Sequence, residues 1–504
     1  MRRHAMWALV LVAAAGALCA QTVRKPAVAG AFYPADAKEL STSVDGYLAK
    51  ATPPEIKDLV ALVAPHAGHM FSGGVAGYSY ALLKGRKIDR VVIISPSHIE
   101  AFPFSAVFNG TAYETPLGQV PVDREFAAQL AKGNELVKLS SRGHIATSGR
   151  GEHALEVQLP FLQRALGKFQ LVPVIMGDQS YEACRALGMA LAKLVRGPET
   201  LIVASSDLSH FHKYDEAVNL DRKTLRAIEE WDYLSMSRNF DLRVWEACGG
   251  GPIIAAMIAA QRLGAKQAKV LKYANSGDVT GDRSRVVGYG AVALFKGQTA
   301  DGRGAAAFSL SDAEEDELMA LARKSVETAV KQQKLYECPA SAREPLMQER
   351  GAFVTVKKNG KLRGCIGYAA PLKPLYLTVR DVAAMAAVRD IRFPPVGTNE
   401  LPELQYEISV LSPLRRVLDV NRIEVGKHGL VVKKGSKEGL LLPQVPVEQG
   451  WDRITFLQQA CVKAGLPVGA WKDEDTDVFA FTALVFGEQA GSGTVNGKRS
   501  AAGR

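Results

Sequence analysis

Cysteine is scarce in this chain and badly spaced for structural work. The 504 residues hold six, at 19, 184, 248, 338, 365 and 461, with no short spacing between any two. That pattern argues against a disulfide framework and against a structural zinc site. Dinucleotide spacing is also missing: the glycines of Phe71-Ser-Gly-Gly-Val-Ala-Gly77 follow an apolar run, but not as G-x-G-x-x-G, so no nucleotide site is read there. Concentrated positive charge is absent too. The formal charge is +10, yet the lysines and arginines are dispersed, with no zinc-finger, helix-turn-helix or aromatic-basic signature. Nucleic acid is therefore not an expected partner.

What is present is globular material, 47% hydrophobic and 23% charged, enough for two or three domains with large cores. The first 20 residues differ from the rest. Met-Arg-Arg-His precedes an uncharged stretch from Ala5 to Leu18 and a small-residue exit at Cys19-Ala20. This is the layout of a signal peptide over residues 1–20, too short for a comfortable membrane span, and it implies export to the periplasm or medium. Lipidation at Cys19 and retention as an anchor are the alternatives. The membrane is a partner only through that leader, if it stays uncleaved.

Histidine is clustered: seven of nine fall between positions 66 and 212. Three apolar runs that read as buried strands end in them. Leu59 to Ala64 leads into Pro65-His66-Ala-Gly-His69, Val91 to Ile94 into Ser95-Pro-Ser-His98, and Leu201 to Ala204 into Ser205-Ser-Asp-Leu-Ser-His210. In an open α/β sheet with these as parallel neighbours, all three exits reach one crevice. The glycines of 71–77 read as a link into a helix over 78–84. Gly151 to Pro160 reads as a helix with His153 and Glu156 on one face. Cys248, at the mouth of an apolar helix, sits where the dipole favours a thiolate, suited to metal ligation or nucleophilic attack.

The ordered set Ala64-Pro-His-Ala-Gly68, Ser95-Pro-Ser-His98, Glu152 to Pro160, Ser205 to His210, Cys248-Gly-Gly-Gly-Pro252 and Tyr273-Ala-Asn-Ser276 resembles the Memo family over residues 25–297. The resemblance implies an α/β open sheet like that of class III extradiol dioxygenases. It also implies a metal site with His66, His98 and Cys248 as ligands, and Asp207, His210 and His153 lining the pocket. His69 stands where an aromatic often follows, as a further nitrogen near the metal. Two imidazoles and a thiolate suit iron or copper as a redox metal, and zinc is compatible. His210, oriented by Asp207, is read either as a general base or, with it, as support for the ligands.

Residues 298–307 are small and flexible in composition and read as a linker. Beyond them Ser311 and Glu314 form a capping box before a helix, and Asn359-Gly360 joins two strands as a hairpin. Leu362-Arg-Gly-Cys-Ile-Gly367, Asp390-Ile-Arg-Phe-Pro-Pro395 and Gly439-Leu-Leu-Leu-Pro443 resemble the AMMECR family over 308–488, which implies an α+β domain. Arg363, Asp390 and Arg392 suit either a pocket rim or a loop-fixing salt bridge. Cys365 reads as a nucleophile or as a small buried residue. Residues 489–504 read as a disordered tail.

Memo-like and AMMECR-like proteins together resemble the AmmeMemoRadiSam association, which implies a functional link to a radical S-adenosylmethionine enzyme. The chain has no Cys-x3-Cys-x2-Cys cluster of its own. Three readings follow: a metal-dependent redox or oxygenase-type enzyme acting on an unidentified small molecule or peptide, a non-catalytic metal- or peptide-binding accessory, and a metal-free hydrolase using Cys248 and His210.

Overall fold

The computed structural model describes residues 22–145, 151–297 and 308–488. The leader at 1–20, the linker at 298–307 and the tail at 489–504 lie outside them. No helix among the described residues is long and apolar enough to cross a membrane.

The three histidine-tipped runs are adjacent parallel strands. Leu59–Ala64 pairs with Thr200–Ser205, which pairs with Arg90–Pro96, and Gln170–Met176 continues the parallel set. Antiparallel strands close both flanks, Val286–Phe295 beside Leu59–Ala64 and Ser105–Val107 beside Gln170–Met176, making a mixed nine-stranded sheet. The central runs are continuously apolar because both faces are covered. Ala61, Val63, Val92 and Ile94 face one core, with helices Tyr181–Leu194 and Gly250–Arg262, whereas Leu62, Ala64, Val91 and Ile93 face the other.

Two helices differ from expectation. The glycines of 71–77 do not link a strand to a helix over 78–84; they lie inside a helix that runs His69–Ala81. They serve packing. A Cβ on Gly73 would lie 2.6 Å from the Tyr47 ring, and one on Gly77 would lie 2.8 Å from the Tyr47 carbonyl oxygen, so helix Ala37–Lys50 can approach only glycine. Likewise Gly151 to Leu155 is not helical. Only a 3₁₀ turn at Glu156–Gln158 precedes helix Leu159–Leu166, because the Glu152 carboxylate accepts the N–H groups of His153 and Ala154 and holds the chain in a turn.

The second domain is an antiparallel sheet ordered Lys361–Tyr368, Ala352–Lys358, Leu404–Leu411, Asp477–Gly487, His428–Lys434, Lys437–Leu441. Its hairpin turns at Asn359 and Gly360, both with positive φ (52° and 75°) as Asn-Gly turns require. Helix Asp312–Gln332 starts at the Ser311–Glu314 capping box. The apolar core of the first domain continues into the second through Leu411, Leu414, Val431, Phe479 and Phe481.

Candidate metal centre

His66 and Asp207 each stand two residues beyond the end of their strand, as does His98, so parallel register alone brings the three exits together. Cys248 arrives from another direction, just before helix Gly250–Arg262. Gly249 follows it because a Cβ there would collide with the Ser205 carbonyl oxygen. One ligand atom from each of His66, His98 and Cys248 falls within 4.8 Å of the others. Cys248 Sγ is 3.0 Å from His66 Nε2.

The hydrogen bonds fix which ring nitrogens face the centre. The Ser205 hydroxyl gives its proton to the Ala154 carbonyl (2.6 Å), so it accepts from His66 Nδ1 (2.9 Å) and leaves Nε2 with the lone pair. His98 Nδ1 lies 3.0 Å from Glu152 Oε1, which likewise frees Nε2. Such partners on the far side of the ring are what orient ligating histidines. Burial acts to raise the Glu152 carboxyl, but hydrogen bonds from the His98 ring and from backbone N–H groups outweigh it and hold it at about 2.

His153 lines the same space. Its ring stacks on His98 with centroids 4.7 Å apart and meets His66 edge-on at 5.5 Å. Burial lowers its imidazole to about 4. His98, Glu152 and His153 form a second group with ligand atoms in the same range, overlapping the first. Among the described residues neither group includes a side chain of the second domain. His66 is driven well below the usual imidazole range by burial, then by the neighbouring His98, His153 and His210.

Several expected relationships do not form. Asp207 does not orient His210: its carboxylate accepts the backbone N–H of His66 (2.7 Å) and of Ala67 (3.3 Å), bracing the neighbouring exit. Burial raises that carboxyl to about 7. His210 Nδ1 instead donates to the Leu208 carbonyl (2.9 Å). His69 is not a further ligand. Starting a helix turns it into the core, against Phe161 and Tyr33, with Nε2 3.0 Å from the Val157 carbonyl oxygen. Glu156 is fully buried and receives Arg24, the Tyr33 hydroxyl (2.5 Å) and the N–H groups of Ala27 and Val28. Burial and then Asp207 push the Cys248 thiol up, while hydrogen bonds from the Asp207 and Gly249 backbone and from Ser206 act the other way.

Ser205, Glu152 and Gln158 are the site residues that sequence reasoning left unassigned. Gln158 donates to the Ser205 hydroxyl (2.8 Å) and to the Pro65 carbonyl (3.0 Å). A signal was present for Gln158, a polar residue between Val157 and Leu159, whereas Ser205 and Glu152 stand among other polar residues of their motifs. In the second domain, Arg363 pairs with Glu400 and Arg392 with Asp390, and Asp390 also accepts the Cys365 N–H (2.8 Å). The motif charges therefore staple a loop to a strand, and burial raises the Cys365 thiol.

Fold and centre define an α/β protein whose parallel strand exits carry a histidine–cysteine cluster, joined to an antiparallel α+β domain. Residues 24–293 match the family of Memo-like proteins, and residues 319–486 match AMMECR1. The chain belongs to the Memo-like family and carries an AMMECR1 domain after it. A MEMO1 family protein of Methanopyrus kandleri is 37% identical over 286 residues, covering 54% of this chain and 99% of its own length. One from Nitrosopumilus maritimus is 35% identical over 276 residues, covering 54% and 98%. The solved structure of the uncharacterized protein PH0010 from Pyrococcus horikoshii shares 43% identity, covering 34% of this chain and 90% of that one, with a TM-score of 0.33.

Proposed function

We propose that the first domain holds a redox metal, iron or copper, on His66, His98 and Cys248, and uses it in oxidative chemistry on a small molecule or peptide. The observation that carries this reading is the convergence of one ring nitrogen from each of His66 and His98 with the Cys248 sulfur within 4.8 Å, while the Nδ1 atoms are engaged by Ser205 and Glu152. Mixed imidazole and sulfur donors suit iron, copper or zinc, and three protein ligands leave room for another molecule. When bound, such a metal supplies Lewis acidity and, for iron or copper, one-electron chemistry.

The chain's own residues supply the rest. His98 is about one third exposed and forms the open side of the centre, while Glu152 keeps its ring in place. His210, lowered by burial and with Nδ1–H on Leu208, keeps Nε2 free to take a proton from a bound molecule. Cys248 must lose its proton to ligate, so metal uptake releases protons and strengthens as pH rises.

Metal content and spectroscopy of the chain without its leader, beside His98→Ala and Cys248→Ser, test this. Stoichiometric iron or copper that both variants lose supports it, and oxygen uptake then separates catalysis from metal storage. A metal-free thiol hydrolase is the second reading, favoured by the 3.0 Å contact between Cys248 and His66. It makes His66 the base in place of His210, and its activity would survive chelation. Export by the leader and cooperation with a radical S-adenosylmethionine enzyme belong to the same proposal, tested by cell fractionation and by co-purification.

A further inference from the structure

Building on the metal reading, we propose that the second domain is a working part of the centre, with Glu349 as a positioning residue for the loop that delivers Cys248. That loop, residues 242–249, joins helix Tyr233–Asp241 to helix Gly250–Arg262. At its far end it is fixed by first-domain groups. Gln179 donates to the Cys248 carbonyl (3.0 Å), and the Gly249 N–H donates to the Ser206 hydroxyl (2.9 Å).

At its near end the anchor is Trp245, which is buried, and the partner of its indole N–H belongs to the second domain. Trp245 Nε1 donates to Glu349 Oε2 at 2.8 Å, while Glu349 Oε1 takes Lys223 Nζ at 2.7 Å. The Glu349 side chain is only 8% exposed. Glu246, next to Trp245, accepts the His210 N–H (3.3 Å) and lies 2.9 Å from His212 Nε2, and Thr224 donates to its carbonyl (3.4 Å). Lys223 and Thr224 share helix Tyr214–Glu229 with Asp221, which accepts the Ser209 N–H at 2.8 Å. One second-domain carboxylate thus ties together the cysteine loop and the helix that braces the entry to strand His210–His212.

Adhesion between the domains does not require it. Leu411, Leu414, Phe479 and Phe481 already supply apolar contact, and a buried carboxylate is favourable only where each oxygen is matched. What Glu349 adds is direction, set on an indole three residues from Cys248.

Cobalt(II) titration of the full chain under reducing conditions tests this, reading affinity and the thiolate-to-cobalt absorption band. Trp245→Phe keeps an aromatic ring and removes the N–H; Glu349→Ala removes its acceptor. Glu474→Gln breaks the exposed Lys193–Glu474 pair elsewhere between the domains and serves as the control. Both test variants are expected to bind cobalt at least about tenfold more weakly with a diminished band, and the control to match wild type. Unchanged affinity and band in both, or equal loss in the control, overturns the proposal. Loss in Glu349→Ala alone overturns the route through Trp245. A wild-type chain that takes no cobalt overturns the metal reading itself, before any variant is compared.

Discussion

Glu152 holds His98 at two points: Oε1 lies 3.0 Å from the ring Nδ1, and Oε2 accepts the backbone N–H at 2.5 Å. Ring orientation and loop position are therefore set by one carboxylate. Glu152→Gln keeps the size but removes the charge and turns one acceptor into a donor. Metal affinity should fall about 10- to 100-fold while the fold persists, as measured by competition against a chelator. Wild-type affinity in this variant would show that His98 needs no such support.

Lowering the pH should destabilise the metal-free chain, and His144 should be one source. Tyr113 donates to its Nδ1 (2.5 Å) and its Nε2 donates to the Ala106 carbonyl (2.9 Å), so the neutral ring is built in. Burial pushes it down to about 3, whereas the unfolded ring titrates near 6.5. The unfolded chain then binds a proton that the folded chain refuses. Stability is fully present above about 6.5 and is lost as pH falls toward 3, by up to about 1.4 kcal/mol per pH unit. Urea midpoints between about pH 7 and 4 should show a shallower slope for His144→Leu, although that variant is less stable throughout.

Two glycines close together in space should respond with opposite signs. A side chain at Gly77 collides with the Tyr47 carbonyl, so Gly77→Val should lose about 1–3 kcal/mol. Gly46 lies within helix Ala37–Lys50, where an added Cβ would meet nothing within 4 Å, so Gly46→Ala should gain about 0.5–1 kcal/mol. Thermal unfolding of both checks the assignment of one glycine to packing and the other to no packing role.

The strands and their exits were legible because a run such as Leu59 to Ala64 needs only local composition to be read, and a parallel arrangement then carries His66, His98 and Asp207 to one edge. Cys248 was legible as a polar residue before an apolar helix. Directions were not legible. Asp207 and His210 are three residues apart, yet Asp207 turns toward His66, 141 positions earlier. Glycines at 73 and 77 signal a loop by propensity, and only Tyr47 across the helix pair explains why they are helical. The partnership of Trp245 with Glu349 spans 104 positions and two domains, beyond any local pattern.

Asp477 should decide whether the two domains unfold as one. It belongs to the second domain, is 2% exposed, and receives the Tyr181 hydroxyl (2.7 Å) and Arg185 (2.9 Å) from the first domain together with Arg416 from its own. Arg416 is itself buried, with 6% of its side chain exposed. Removing the carboxylate leaves that cation without its partner, at a penalty of about 3–5 kcal/mol, and it cuts both of these polar ties to helix Tyr181–Leu194. Calorimetry of wild type should therefore show one transition, because the apolar core is continuous through Phe479 and Phe481. Asp477→Ala should show two, the second domain melting first. A single unshifted transition in the variant would assign the coupling to the apolar contact alone.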